Sequence, residues 1–172
     1  MAEPKAPPPG VIAIPTQEHW RYTRSMLDAY GCKRPTGSKL STVMGMDVTL
    51  SLNEIVKDAL ADENDYQWAW FQSDDHLYDD ESLLTLLAHD VDVVVPLVAK
   101  KAPPYGFVIY KSEYVGMTDE GIPIPEYDHV QLDEIPAEGL FKVYAAGSGG
   151  MLVKRRVLEA IAPPWFVSSS GA

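Results

Sequence analysis

The sequence predicts a three-layer α/β fold, in which helices flank a mixed, mostly parallel sheet. Through the first hundred residues, short β-branched or aromatic runs alternate with segments of helical periodicity. The connections between them are short, which favours parallel neighbouring strands joined by right-handed crossovers. A nearly continuous valine run over 91–98 is typical of a strand buried on both faces.

The first strand and helix are separated by a proline. Val11–Ile14 is a β-branched run that we expect to end at Pro15, and Thr16 precedes a predicted helix over 17–30. Gly31 follows as a helix-terminating residue. The apolar face expected to pack on the sheet consists of Trp20, Thr23, Met26, Leu27 and Tyr30.

The next elements continue the alternation. A strand is predicted at 40–44, and an amphipathic helix at 51–61 with Ser51 or Thr49 as its cap. An aromatic strand begins near Tyr66, and a leucine-rich helix is predicted over 77–88.

After Pro96 the pattern changes. The Gly- and Pro-rich acidic stretch 115–136 predicts no regular structure. The remaining segments are predicted as strands at 107–110, 140–145 and 151–153 and a helix at 155–161.

The size and composition predict one domain over 11–166, with loose tails at 1–10 and 167–172. A net charge of −11 argues against a nucleic-acid partner, because phosphates require a Lys/Arg surface. Cys32 is the single cysteine, so no internal disulfide forms. No run is long enough for a membrane span and no export signal is visible, so a cytoplasmic location is expected. A homo-oligomer is compatible with these features.

The stretch 66–76 carries the main site hypothesis, because an aromatic strand ends there in Ser73, Asp74, Asp75 and His76. In an extended chain Ser73 and Asp75 share one side, and Asp74 and His76 the other. Their oxygens suit a hard cation such as Mg²⁺ or Mn²⁺, which commonly bridges substrate phosphates. The alternative is an exposed acidic turn that caps the following helix. His76 is either a ligand, a donor to phosphate or a packing residue.

The glycine-rich segment 147–150 has two interpretations. Gly149 and Gly150 let a backbone approach a substrate closely and expose amide donors, or they form a tight turn between strands. Among the aromatic residues, Trp165 and Tyr105 are candidates for stacking on a sugar or base.

As an ordered set, several segments resemble the nucleotide-sugar glycosyltransferases of GT-A type, in particular family 2. They are Val-Ile-Ala-Ile-Pro-Thr at the start, the segment from Asn53, Trp-Phe-Gln-Ser-Asp-Asp-His, the leucine helix with the valine run, and Ala-Gly-Ser-Gly-Gly-Met-Leu-Val-Lys-Arg-Arg ending in Pro-Trp-Phe. The resemblance implies a Rossmann-like GT-A fold that binds a UDP- or GDP-sugar and transfers the sugar to an unknown acceptor, protein or glycan.

The resemblance also implies roles for particular residues. Asp75 matches the last acid of a DxD-type motif that holds Mn²⁺ or Mg²⁺, with His76 beside it. Ser73 stands where the first acid usually is, and Asp74 would assist.

Three further residues match positions that face the donor. Pro15 and Thr16 match the loop beside the nucleotide base, and Asn53 matches a donor-facing position. Leu52 replaces the arginine often found before that asparagine. The glycine segment would lie near the sugar and the acceptor.

The catalytic base is not identified by the sequence. The family's acidic motif after the Trp-Phe segment is not found in 167–172. Three alternatives remain: an acid within 119–134 acts as the base, a partner or another subunit supplies the base, or catalytic activity has been lost. If it is lost, the chain is a non-catalytic nucleotide- or glycan-binding module. A metal-dependent phosphotransferase or hydrolase ranks last, because no Walker-type or His-Glu-x-x-His motif is present.

Overall fold

The computed structural model describes residues 6–16, 23–100, 103, 105–117 and 123–167. The described residues cluster into two compact units. The sheet unit comprises the chain up to Pro96 and from Ser148 onward, and the hairpin unit is Leu97–Gly147. The prediction that 11–166 forms a single domain stays a prediction.

Four helices and eight strands occur in the described part of the chain. The helices are α1 (Thr23–Gly31), α2 (Val48–Ala61), α3 (Ser82–Ala88) and α4 (Arg155–Ala160). The strands are β1 (Val11–Thr16), β2 (Lys39–Met44), β3 (Trp68–Phe71), β4 (Val93–Val94), β5 (Ile109–Met117), β6 (Pro123–His129), β7 (Ala145–Ala146) and β8 (Met151–Lys154).

The sheet unit is built on a five-stranded sheet in the order β2-β1-β3-β8-β4. β1 pairs parallel with β2 and with β3, whereas β8 is antiparallel to both β3 and β4. Four strands therefore point one way and β8 the other, which confirms a mixed, mostly parallel sheet within an α/β fold.

Successive side chains of each strand point to opposite faces of the sheet, so both faces carry apolar side chains. Helices cover both faces. α2 and α4 pack on one face, and α1 and α3 on the other. The first face buries Val11, Ala13, Ala69, Phe71 and Val153 with Leu52, Ile55, Val56 and Leu158. The second buries Ile12, Ile14, Trp68, Trp70, Val94 and Leu152 with Ala29, Cys32, Leu83 and Leu86.

The first strand does not stop at Pro15, contrary to the sequence prediction. The backbone carbonyl of Ala13 accepts a hydrogen bond from Gln72 N, so Ala13 directs its backbone groups toward β3. Pro15 lies two positions later in the strand and therefore faces the same side. The ladder between β1 and β3 ends at Ala13 and Phe71. Pro15 is tolerated because no neighbouring strand requires its missing N–H.

Three predictions about the helices are wrong in detail. α3 begins at Ser82, five residues after the predicted start at Leu77. Leu27 and Tyr30, assigned to the packed face of α1, are each 61% exposed, and the small residues Ala29 and Cys32 face the sheet instead. Residues 17–22, including Trp20, lie outside the described residues. α2 begins earlier than predicted, and its cap is Asp47, whose carboxylate accepts from Thr49 N at 2.8 Å.

The valine run is not a strand buried on both faces. Only Val93–Val94 forms β4, and Val93 is 46% exposed, because this two-residue strand pairs with β8 alone at the edge of the sheet.

The hairpin unit contradicts the prediction that 115–136 is irregular. β5 and β6 pair antiparallel over most of their length, with an irregularity between Tyr110 and Ser112, and β7 pairs with the start of β5. Of the strand predicted at 140–145, only Ala145 is extended, as the first residue of β7. The prolines of β6 lie on an edge strand of this sheet, where proline is compatible with strand structure.

Candidate functional site

The predicted site segments meet at one edge of the five-stranded sheet. β1 and β3 are parallel neighbours, so Pro15–Thr16 and the turn after Phe71 lie at the same, carboxyl edge. β8 is antiparallel and begins at Met151 opposite Phe71, which brings Gly149 and Gly150 to that edge as well. β1 has β2 on one side and β3 on the other, so the strand order reverses here. Such switch points are where open α/β sheets bind ligands.

Ser73–His76 forms a turn and does not continue as extended chain. His76 N donates to the carbonyl of Ser73 at 3.4 Å. The predicted alternation of side chains therefore fails, because the turn brings neighbouring residues together. The Ser73 hydroxyl donates to Asp75 Oδ1, and His76 Nδ1 lies 2.7 Å from the same oxygen. The Ser73 hydroxyl and the His76 imidazole thus approach the same carboxylate oxygen of Asp75.

The imidazole of His76 is enclosed. Its Nδ1 is buried, lies 2.7 Å from Asp75 Oδ1 and forms no hydrogen bond. The ring lies over Gly149, where a Cβ would stand 3.5 Å from His76 Cε1. The side chains of His76 and Asp75 retain 25% and 19% exposure, so the pair is reachable from solvent.

The alternative role of the acids as a helix cap is not observed. α3 begins at Ser82, and its N-cap residue Glu81 makes no side-chain cap bond. Asp79 is the acid that accepts from Glu81 N, at 2.9 Å. Asp74 is 9% exposed and has interactions of its own within the protein.

Gly150 fixes the glycine segment to the end of β3. Its N–H donates to the carbonyl of Phe71 at 2.8 Å, and its carbonyl accepts from the buried indole of Trp70 at 2.8 Å. Gly150 has a φ of +80°, so this is a tight turn with positive φ, and it also lies at the candidate site. The tight turn is therefore observed at Gly150, whose N–H is bonded within the chain, and the approach of a substrate to the glycine segment stays a prediction.

Tyr78 is a further neighbour of the site. Its ring packs edge-on against Trp70 with centroids 5.2 Å apart. The hydroxyl is buried and forms no hydrogen bond of adequate geometry, although the Ser73 backbone is near enough to lower its pKa. Burial outweighs that influence and raises the pKa of Tyr78 to about 12.

We expect Tyr78→Phe to flatten the alkaline dependence of stability. In the unfolded chain tyrosine ionises near pH 10, roughly two units below the folded pKa, so wild-type stability is fully present below pH 10 and is lost as pH rises toward 12. At pH 11 the wild type should have lost about 1 kcal/mol more than the variant. At pH 7 the variant should be as stable or more stable, because it removes a buried hydroxyl without a partner.

Urea unfolding at pH 8 and pH 11 measures both effects. Tyr105→Phe, at a ring 71% exposed, is the control and should follow the wild type. Equal alkaline losses in wild type and Tyr78→Phe would contradict the expectation.

The hydrogen bonds of Asn53 connect it to Thr49 and to the Trp165–Phe166 segment, and none of them connects it to the Ser73–His76 turn. Its Oδ1 accepts from Trp165 N and Phe166 N at 2.8 and 3.2 Å, and its Nδ2 donates to the carbonyls of Thr49 and Phe166, both at 2.8 Å. All four positions of the carboxamide are occupied within the chain. Its contact with a donor stays a prediction and requires one of these bonds to be exchanged.

The residues of the predicted base loop are buried at the end of β1. Thr16 is 8% exposed, and its carbonyl accepts from Gly45 N at 3.2 Å. A cavity of about 450 Å³ opens beside Tyr78, between α1 and the loop that leads to α3. It is lined by Leu27, Asp28, Gly31 and Leu77–Asp80.

The two stacking candidates have different environments. Trp165 donates from its indole to the carbonyl of Leu158 at 2.7 Å and packs against the first core, so much of its ring is occupied. Tyr105 belongs to the hairpin unit and is exposed.

No protein-family model matches the chain, and no curated protein matches it. Among solved structures, a crystal structure of A197 from STIV matches 93% of this chain and 72% of that chain, with a TM-score of 0.60 and 17% sequence identity. The chain has a fold similar to that of A197 from STIV. At this identity the likeness concerns the fold alone.

The binding of a cation at the turn stays a prediction. Asp75 and the buried, unsatisfied His76 Nδ1 offer an oxygen and a nitrogen, but within the described residues no three His, Cys, Asp or Glu side chains are grouped to hold a metal by themselves. Mg²⁺ and Mn²⁺ commonly take one or two protein ligands and complete their shell with water and phosphate oxygens.

The helices in the described part of the chain include none that is long and apolar enough to cross a membrane.

Proposed function

We propose that the chain is a glycosyltransferase of GT-A type that binds a UDP- or GDP-sugar at the carboxyl edge of the five-stranded sheet. The observation that carries the proposal is the meeting of Pro15–Thr16, Ser73–His76 and Gly149–Gly150 at the switch point between β1 and β3. These segments are distant in the sequence, and each matches a donor-binding part of the resembled family.

The charged residues near the site suggest which part of a sugar nucleotide each of them would bind. Asp75 and His76 would hold Mn²⁺ or Mg²⁺, which supplies the positive charge that offsets the diphosphate. Without a cation, the carboxylates would repel a diphosphate. The adjoining cavity carries Asp28, Asp79 and Asp80, whose oxygens accept hydrogen bonds from ribose hydroxyls or a base N–H. The Lys33 ammonium beside Asp80 keeps the pKa of that carboxyl low and therefore keeps it ionised.

A thermal-shift series with UDP- and GDP-sugars, each with and without Mn²⁺, tests the donor site. A donor at about one hundred times its Kd stabilises by about 2.7 kcal/mol, which corresponds to roughly 5 °C or more for a chain of this size. Asp75→Ala should reduce the Mn²⁺-dependent shift to about 1 °C or less, because it removes the carboxylate that contacts both Ser73 and His76.

Asp58→Ala is the matched control, since Asp58 is an exposed acid on α2. It should keep the full shift. A wild type that no donor stabilises, with or without metal, contradicts the proposal.

A second candidate is a non-catalytic nucleotide- or glycan-binding module of the same type. Ser73 brings no charge to the position of the first acid, and the protein ligands for a cation are few. Incubation with a donor that binds distinguishes the two candidates. Release of nucleoside diphosphate that disappears in Asp75→Ala supports the enzyme, and binding without release supports the module.

A further inference from the structure

The hairpin unit presents a row of polar aromatic residues on one face of its sheet. Tyr110 pairs with His129 across the strands, and Glu113 pairs with Tyr127. Residues 127 and 129 are two positions apart on β6, so all four side chains lie on one face. Tyr144 joins them, because its hydroxyl donates to Glu113 at 2.6 Å. We call these five residues the tyrosine face.

The rings of the tyrosine face form a strip. The ring of Tyr110 lies between those of Tyr127 and His129, with centroid distances of 5.1 and 4.7 Å and tilts of 46° and 50°. Tyr127 and Tyr144 are 42% and 58% exposed, so ring surface is open to solvent. Exposed aromatic faces suit the C–H-rich surfaces of sugar rings.

Hydrogen-bonding groups border the rings. The Glu113 carboxylate accepts from Tyr144 and, having about four lone-pair sites, can accept further bonds from ligand hydroxyls. The same carboxylate raises the pKa of Tyr144, so this phenol stays protonated and able to donate. The face therefore combines apolar ring surface with acceptors and donors at its border.

The charge of the tyrosine face limits the class of ligand that it can bind. Glu113 is its carboxylate, and no lysine or arginine belongs to it. The nearby Lys111 pairs with Asp128 and Glu134, and Asp128 alternates with Tyr127 and His129 onto the opposite face. An anionic ligand such as a nucleic acid or a sulfated polymer would be repelled by the Glu113 carboxylate. A cationic peptide would be drawn to Glu113, but cation recognition favours rings that surround one charge, and Tyr127 and His129 follow one another along a single strand.

We propose that the tyrosine face binds a neutral oligosaccharide. Successive sugar units lie along the strip of rings, and their hydroxyls donate to Glu113 and exchange hydrogen bonds with the tyrosine hydroxyls. This inference goes beyond the donor proposal and does not depend on it, because the residues belong to the hairpin unit.

An NMR titration of the full chain with maltohexaose, cellohexaose and chitohexaose tests the proposal. We expect at least one of them to bind with a Kd of about 1 mM or tighter and to shift the amide resonances of β5 and β6. Tyr127→Ala should weaken binding about tenfold, whereas Tyr127→Phe, which keeps the ring, should stay within about twofold of wild type. Tyr114→Ala removes an exposed tyrosine on the opposite face of the hairpin and should have no effect.

Several outcomes overturn the proposal. They are an absence of binding to all three saccharides at about 10 mM, equal losses for Tyr127→Ala and Tyr114→Ala, and shifts of β5 and β6 by an oligolysine peptide but by no saccharide. Asp75→Ala should leave saccharide binding unchanged, and Tyr127→Ala should leave the donor-dependent thermal shift unchanged. The two proposals can therefore fail separately.

Discussion

Replacing Gly150 with alanine is expected to lower the free energy of unfolding by about 3 kcal/mol. The φ of +80° accounts for roughly 1 kcal/mol, since L residues with a Cβ are disfavoured there. The larger part comes from packing, because the added Cβ would lie 2.7 Å from Pro96 Cγ and 2.8 Å from Tyr78 Cε1. Both neighbours are rings and cannot rotate away easily, so the turn has to move.

Gly45→Ala separates backbone strain from packing. Gly45 has a similar φ of +77°, and a Cβ there would meet nothing within 4 Å. Its loss in urea unfolding should be about 1 kcal/mol. Equal losses in the two variants would show that packing around Gly150 is unimportant. Because Gly150 is bonded to Phe71, the alanine variant should also shift the amide resonances of Ser73–His76, whereas Gly45→Ala should not.

Replacing Asn53 with alanine is expected to cost about 2 to 3 kcal/mol of stability and to loosen the segment around Trp165 and Phe166. The change removes the acceptor for the N–H groups of both residues and the donor to the Phe166 carbonyl. This segment is partly buried, and its Phe166 ring packs against Phe71 with centroids 5.1 Å apart. The loosening should appear as faster hydrogen exchange of the Trp165 and Phe166 amides.

Two further variants define the cause of that loss. Asn53→Asp keeps oxygen acceptors for the two N–H groups but turns a carboxylate oxygen toward the carbonyls of Thr49 and Phe166, so it should destabilise at least as much as the alanine variant. Asn64→Ala changes an exposed asparagine and should stay within about 0.5 kcal/mol of wild type. Unchanged protection of the Trp165 amide in Asn53→Ala would refute the clamping role of this side chain.

Local periodicity predicted the α/β part of the chain well because each element there contains its own signal. The apolar positions of α2 recur at helical spacing, and β3 is a compact aromatic run, so neither depends on a distant partner for its recognition. The position of the acids at the end of β3 followed from the same pattern.

The conformation of the site could not be predicted in the same way. An extended chain was assumed for 73–76, but a turn brings Asp75 and His76 together. The roles of Asn53 and Tyr78 depend on residues far along the chain, namely Phe166 and Gly150, and no local pattern indicates such contacts.

The tyrosine face was missed because its strands lie in a stretch rich in Gly and Pro. These residues normally interrupt strands, and here they occur within and beside a hairpin whose cross-strand pairing is long-range information.

The sequence by itself determined the order of strands and helices up to β4 and the site-forming residue types, because hydrophobic spacing and backbone propensity act between near neighbours. Only the tertiary structure decided that β8 enters the sheet antiparallel beside β3, which brings the glycine turn next to the acidic turn. Strand pairing of this kind joins residues about eighty positions apart. It depends on how all the elements bury their apolar faces together, which no single segment specifies.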